Sequence, residues 1–239
     1  MSSIAENLER VKEQIANACA RSGRNPDEIA LVAVTKTHSA ERVREAIEAG
    51  QTLFGENKVQ EARAKIPDLP SSAHWHFIGH LQKNKIRQAL PLFEMMHSVD
   101  SLELANAINR IAEEEGHRPH VLLEVNVAGE GSKFGFKPEK LREELEQLLA
   151  LDRLTIEGLM TIPPVAPEAE ASRRFFIALR ELRDELQQTA GVQLPHLSMG
   201  MTDDFPIAIE EGATFVRVGT AIFGKRTPLR ERVQQTFDD

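Results

Sequence analysis

The chain contains no tyrosine, one cysteine and one tryptophan in 239 residues. A lone cysteine, Cys19, excludes an intrachain disulfide, so the fold rests on its core, and a reducing, cytoplasmic location is the simple expectation. No apolar run approaches the length that spans a bilayer, so no membrane contact is expected. There is no basic block or stripe. The net charge is −8, with acidic and basic residues interleaved, which disfavours nucleic acid as a partner. Glu6, Glu9, Arg10 and Lys12 interrupt the start of the chain, so no secretory signal is read there. Linkers, low-complexity tracts and internal repeats are also missing, and Gly224-Lys225-Arg226 follows no glycine-rich Walker loop. What remains is 41% apolar and 28% charged, an ordinary composition for a globular protein with a sizeable core.

Short apolar runs alternate with longer amphipathic segments along the chain. Strands are expected at Leu31–Val34, Thr52–Phe54, Trp75–Ile78, Met95–Val99, Val121–Val127, Thr155–Met160, His196–Met199 and Thr214–Val218. Each is followed by a helical pattern. Ser39 and Ser101 stand at N-cap positions, Gly50 and Gly116 stand at helix ends, and Pro138 opens a first turn. A further helix, Ser3–Arg21, precedes the first strand, and Gly23 and Pro26 end it. The run Glu168 to Gln188 reads as one long helix, and Pro163–Pro167 as a loop. Regular β–α alternation implies a parallel sheet. At this length it fits one closed (β/α)8 TIM-type barrel over residues 1–239, with an extra N-terminal helix, better than an open sheet.

In such a barrel the chemistry lies just past the strand ends. Lys36 ends the first apolar run. A lysine held there in a partly dry pocket is a nucleophile for an aldehyde, and a solvated loop lysine is the plain alternative. The last two loops, Ser198-Met199-Gly200-Met201-Thr202 and Gly219-Thr220, combine glycine with hydroxyls in the positions where barrels often bind phosphate. Taken singly they are equally consistent with turns and caps, Thr202 being placed to cap the helix that follows. Arg217 lies in the apolar run Phe215–Val218. It faces either the barrel interior, where it would meet a ligand, or the helix layer. His74, His76 and His80 lack an obvious further ligand, so no metal site is assigned. The spaced glycines of Gly129–Phe136 do not match a dinucleotide fingerprint.

Seven segments together carry a resemblance: Leu31–Lys36, Phe54–Glu61, His76–Lys85, Ser132–Phe136, Gly158–Thr161, Leu197–Met201 and Val216–Gly224. In these the chain, from about Ala5 to Gly224, resembles the YggS/PROSC family of pyridoxal-phosphate-binding (PLP homeostasis) proteins. Thr202 stands where serine is more usual. The resemblance implies a barrel like that of alanine racemase without its C-terminal β domain, and pyridoxal 5'-phosphate as cofactor, held as a Schiff base on Lys36. It further implies a phosphate cradle of Ser198, Gly219 and Thr220, Arg217 against the ring nitrogen, and Asn57 near the cofactor. The expected function is intracellular homeostasis of pyridoxal phosphate (vitamin B6), with apo pyridoxal-phosphate enzymes as recipients and a monomeric state. An efficient two-base racemase would need a tyrosine the chain lacks, so little turnover is expected and no catalytic residue is assigned. The alternatives are a fold-type III racemase or lyase, for which His80 is the candidate second base, and a barrel enzyme acting on a sugar phosphate.

Overall fold

The structure, a computed structural model, describes residues 2–131, 134–165 and 167–224. Ser132, Lys133, Ala166, Lys225 and Arg226, which fall in segments cited above, lie outside the described residues. Eight parallel strands close into a barrel in sequential order: β1 (Ala30–Val34), β2 (Leu53–Glu56), β3 (His74–Phe77), β4 (Met95–Val99), β5 (His120–Glu124), β6 (Thr155–Met160), β7 (His196–Ser198) and β8 (Phe215–Val218). Closure is made by β8 against β1, with Ala30 beside Phe215 and Val32 beside Arg217. The expected strands are all present. β5 ends at Glu124, three residues before its apolar run does, and the chain there pairs with the Phe136 segment: the Asn126 N–H donates to the Phe136 carbonyl and the Phe136 N–H to the Glu124 carbonyl.

The helices are α1 (Ile4–Ser22), α2 (Ala40–Glu48), α3 (Val59–Lys65), α4 (Ile86–Ala89), α5 (Leu102–Glu115), α6 (Pro138–Leu149), α7 (Arg173–Ala190), α8 (Phe205–Glu210) and α9 (Thr220–Phe223). Ser101 caps α5 through the Leu104 N–H, Gly116 ends that helix in the left-handed region, and Pro138 opens α6. Ser39 occupies the N-cap position of α2 without capping it. Thr202 caps nothing. Asp204 is the N-cap residue of α8, and its carboxylate accepts the Met201 N–H at 2.7 Å, tying the turn that Thr202 was expected to tie. The long helix expected from Glu168 begins instead with a 3-10 turn, Ala169–Ser172.

Two apolar layers result. The larger fills the space between sheet and helices. The smaller is a plug inside the barrel, made by Val32, Met95, Leu122, Met160 and Phe215. α8 and α9 are short, and α1 packs across them and α2. It presents Ile4, Leu8, Val11, Ile15 and Ala18, at helical spacing, as a buried stripe. Asn7 on α1 donates to the Ile222 carbonyl at 2.7 Å, and Arg24 donates to the Ile209 and Ala213 carbonyls. The extra helix therefore holds the β8–α9 turn, one wall of the site.

Candidate functional site

The barrel strands are buried on both faces, so alternation along each strand sends one set of side chains to the helices and the other to the axis. On β8, Val216 and Val218 join the helix-side core, whereas Phe215 belongs to the interior plug. Arg217 shares the parity of Phe215 and points inward, which settles the question the sequence left open. On β3, Trp75 and Phe77 take the helix side and His76 the interior. Above the apolar plug the interior is therefore polar.

At the C-terminal end of the barrel lies a cavity of about 230 Å³. Lys36, Asn57, Arg217, Gly219 and Thr220 all line it, together with His38, Met201, Thr202 and Asp203. Of the expected site residues, only the Ser198 side chain is not among the groups lining it. As the last residue of β7, with the parity of His196, it points into the barrel, fully buried. Thr202, four positions on and beyond the strand, is the hydroxyl residue of that loop that lines the cavity.

Lys36 follows β1 in a tight turn. The next residue, Thr37, has φ of 68°, a left-handed conformation that is costly for a β-branched residue. Its N–H donates to Glu61 Oε2 at 3.1 Å. Burial opposes the ionised form of Glu61, but this N–H and Lys58 prevail and hold its carboxyl below the usual range. Beneath the turn, Lys65 Nζ donates to the Thr35 carbonyl at 2.9 Å and to Glu56 Oε1 at 2.5 Å. Thr35 Oγ1 donates to the same carboxylate oxygen at 2.6 Å. Lys65 and Glu56 are both buried, 8% and 0% exposed at their side chains, so the lysine turn sits on a desolvated ion pair. Asn57 continues from β2, and Gly79 lets the next loop lie on it: a Cβ at Gly79 would stand 2.2 Å from the Asn57 carbonyl oxygen. Asn57 Oδ1 is buried without a hydrogen-bond partner. An orphaned acceptor in the wall of a cavity fits a polar ligand.

The opposite wall is held differently. Arg217 Nη1 donates to Ser198 Oγ at 2.5 Å and Nη2 to the Thr161 carbonyl at 2.9 Å. Ser198 Oγ lies 2.8 Å from His97 Nδ1, and His97 Nε2 lies 2.9 Å from His76 Nδ1. Burial holds His76 down at about 4 and His97 well below its usual value, so both imidazoles are neutral at pH 7. Burial also lowers Arg217 to about 10, against the more distant carboxylates of Glu124 and Asp204, and it stays cationic at neutral pH. Among the described residues no carboxylate forms an ion pair with it. Glu124, at the end of β5, is raised to about 7 by burial and by Asp100, with Arg217 acting against both.

His80 stands apart from this cavity. It is 3.0 Å from Asp100 and stacks on Phe134 with ring centroids 3.7 Å apart. His74 pairs with Glu94 on the surface, so the three histidines of that segment have separate partners. Among the described residues no group of His, Cys, Asp and Glu is arranged to hold a metal, and no helix is long and apolar enough to cross a membrane. The sequence reading missed His97, Glu56 and Lys65. The signal for His97 and Glu56 was polarity inside strand segments, whereas Lys65, at the end of the polar helix α3, gave none.

A cavity with an amine, a buried guanidinium, an orphaned amide oxygen and a glycine–hydroxyl turn suits a flat ligand with a carbonyl, a ring acceptor and an anionic group. The family model described as alanine racemase, N-terminal domain, matches residues 3–227. A pyridoxal phosphate homeostasis protein from Aquifex aeolicus is 46% identical over 222 residues, which is 92% of this chain and 97% of that protein. The solved structure of PipY from Synechococcus elongatus PCC7942 with PLP bound superposes with a TM-score of 0.82 at 43% identity, covering 93% of this chain and 100% of that one. An alanine racemase from Clostridium difficile shares the barrel fold, with a TM-score of 0.73 at 18% identity over 96% of this chain and 58% of the enzyme.

Proposed function

Given that the chain belongs to the alanine racemase N-terminal domain family and, within it, to the pyridoxal phosphate homeostasis proteins, we propose that it holds pyridoxal 5'-phosphate in the cavity between β1 and β8 and serves the handling of that cofactor. The observation that carries the reading is the convergence of Lys36, Asn57, Arg217, Gly219 and Thr220 on one cavity, with the orphaned Asn57 oxygen in its wall. Bound pyridoxal phosphate supplies an aldehyde electrophile, a ring nitrogen acceptor and a phosphate dianion. Lys36 offers the amine that takes the aldehyde, as the YggS/PROSC resemblance implies. Thr202, Gly219 and Thr220 offer hydroxyl and backbone donors for the phosphate, and Ser198, which the resemblance also puts in that cradle, lies beneath it and accepts a hydrogen bond from Arg217. Asn57 offers an amide near the ring.

Arg217 has the further role of limiting chemistry. A guanidinium lowered only to about 10 donates a hydrogen bond at pH 7 but keeps its proton, so it does not protonate the ring nitrogen. An unprotonated ring is a weak electron sink, which suits storage and release better than turnover. A racemase would place a second acid–base group across from Lys36. His80, the candidate for that role, is bonded to Asp100 and stacked on Phe134 instead of lining the cavity. Apo pyridoxal-phosphate enzymes as recipients, a monomeric state and a cytoplasmic location accompany this reading.

Borohydride reduction of the loaded protein followed by peptide mapping tests it. The cofactor mass is expected on the Lys36 peptide, with loss of the visible absorption band. Attachment at Lys58, Lys83 or Lys133, or no attachment, overturns the assignment.

A further inference from the structure

Four buried polar side chains form one chain along the barrel axis: Arg217, Ser198, His97 and His76. They come from β8, β7, β4 and β3, so closure of the barrel alone brings them together. Ser198 and His97 are fully buried. The direction of the hydrogen bonds follows from counting donors. Arg217 has only N–H groups to give, so Ser198 Oγ is its acceptor. Suppose His97 Nδ1–H also donated to Ser198. The serine would then accept twice, and its own hydroxyl proton, in a side chain with no exposure and with hydrogen bonds to Arg217 and His97 alone among the described residues, would have no acceptor. Such a buried donor is costly. The other arrangement satisfies both Ser198 and His97: Ser198 O–H donates to His97 Nδ1, and His97 Nε2–H donates to His76 Nδ1. All donors then point away from Arg217, and each bond polarises the next.

From this geometry we propose that His97 is a positioning residue for Arg217, acting through the Ser198 hydroxyl, and that His76 fixes the tautomer in which His97 can accept from that hydroxyl. Without His97 the serine proton has no partner and the hydroxyl rotates. Arg217 then loses one of its two recorded anchors, the other being the Thr161 carbonyl on β6. The support is uncharged, so the guanidinium charge is not spent on an ion pair inside the barrel and remains directed at the cavity. Hydrogen bonds that orient metal ligands are typically worth 10- to 100-fold in metal affinity, and an effect at the lower end of that range is expected for an oriented guanidinium. The toward-ligand part of the inference rests on the proposed function.

The test uses the full chain as wild type and as His97→Asn, His97→Gln and His97→Leu. An asparagine amide falls near the Nδ1 position and restores an acceptor for Ser198, a glutamine amide falls near Nε2 and does not, and leucine restores nothing. In ligand-free protein, imidazole nitrogen NMR is expected to show His97 as the Nε2–H tautomer. The Arg217 guanidinium protons are expected to exchange slowly in wild type and His97→Asn, and roughly 10-fold faster in the other two. With pyridoxal 5'-phosphate labelled at the ring nitrogen, wild type and His97→Asn should share one ring-nitrogen shift and similar affinity. His97→Gln and His97→Leu should move that shift and weaken binding by about 10-fold or more. An Nδ1–H tautomer in wild type, a measurement that needs no variant to fold, overturns the proposal. So does equal Arg217 exchange across the variants that fold. If the exchange contrast stands but pyridoxal phosphate binds none of the proteins, the proposed function fails and the positioning of Arg217 by His97 survives.

Discussion

Behind Lys36 the cavity wall rests on a buried ion pair, Glu56 with Lys65; behind Arg217 it rests on neutral groups, Ser198, His97 and His76. Both supports do the same thing, which is to hold a cationic residue at a strand end. The difference follows from what each residue needs. Lys36 sits on a turn whose backbone is strained at Thr37, and the Lys65 ammonium clamps the carbonyl just before that turn while Glu56 anchors the ammonium. Arg217 is itself the buried charge. A carboxylate beside it would consume that charge, whereas a hydroxyl and a carbonyl satisfy its N–H groups and leave it. The ion pair fixes backbone; the neutral chain fixes a side chain.

This contrast makes the first wall brittle and the second tolerant. The largest effect is expected for Lys65→Met, which leaves the Glu56 carboxylate buried with no countercharge. It should cost about 3–5 kcal/mol in urea unfolding, and adding Glu56→Leu should recover most of the loss. A double variant no more stable than Lys65→Met would show that the pair does more than neutralise itself.

Acid should act on the second wall. His76, His97 and His196 are all lowered by burial from 6.5, His76 to about 4. The unfolded chain therefore binds more protons than the folded one below 6.5. Stability present above that pH is lost as pH falls toward 4, by up to about 1.4 kcal/mol per pH unit for each fully buried imidazole. Glu124 opposes this: raised from 4.5 to about 7, it binds more protons when folded, so its contribution is present below 4.5 and lost as pH rises through 7. Glu124→Gln is expected to steepen the loss of stability between pH 7 and pH 5. Urea midpoints across that range check the sign, and an unchanged slope would remove Glu124 from the balance.

Ser198→Ala removes an acceptor from Arg217 and a donor from His97, and should cost about 1–3 kcal/mol, less than Lys65→Met. An equal cost would erase the contrast between the walls. The smallest effect is expected at the strained turn. Thr37→Gly relieves a left-handed β-branched residue at the expense of chain entropy, for a net gain of about 1 kcal/mol or less. If instead it destabilises the protein, Thr37 is held by more than its backbone.

Much of this was legible before folding. The order and spacing of the apolar runs imply the barrel, and the position of Lys36 after the first of them places it at the rim. Gly219 and Thr220 follow the last strand and reach the cavity as expected. Ser198 stands apart from the other expected site residues because it closes the strand instead of opening the loop. It still belongs to β7 and obeys strand parity, so its side chain goes inward while Thr202 takes the cavity. His76 resisted reading for a related reason. In His74-Trp75-His76-Phe77 the polar positions look solvent-facing, as they would on a one-sided sheet, yet in a barrel wrapped by helices the polar face is the interior. The Thr202 cap did not form because the N-cap position of α8 falls two residues on, at Asp204, whose carboxylate accepts the Met201 N–H.

Sequence by itself determined the number and order of the strands, the extra N-terminal helix and which strand ends carry an amine, a guanidinium and a glycine–hydroxyl turn, because hydrophobic period and turn chemistry are local. Only the tertiary structure decided which polar side chains meet. Lys65 reaches Glu56 across the β2–α3 connection, and His76, His97, Ser198 and Arg217 reach one another across the barrel axis. Parity names the two faces of a strand, but it is closure of β8 on β1 that makes one of them an inside.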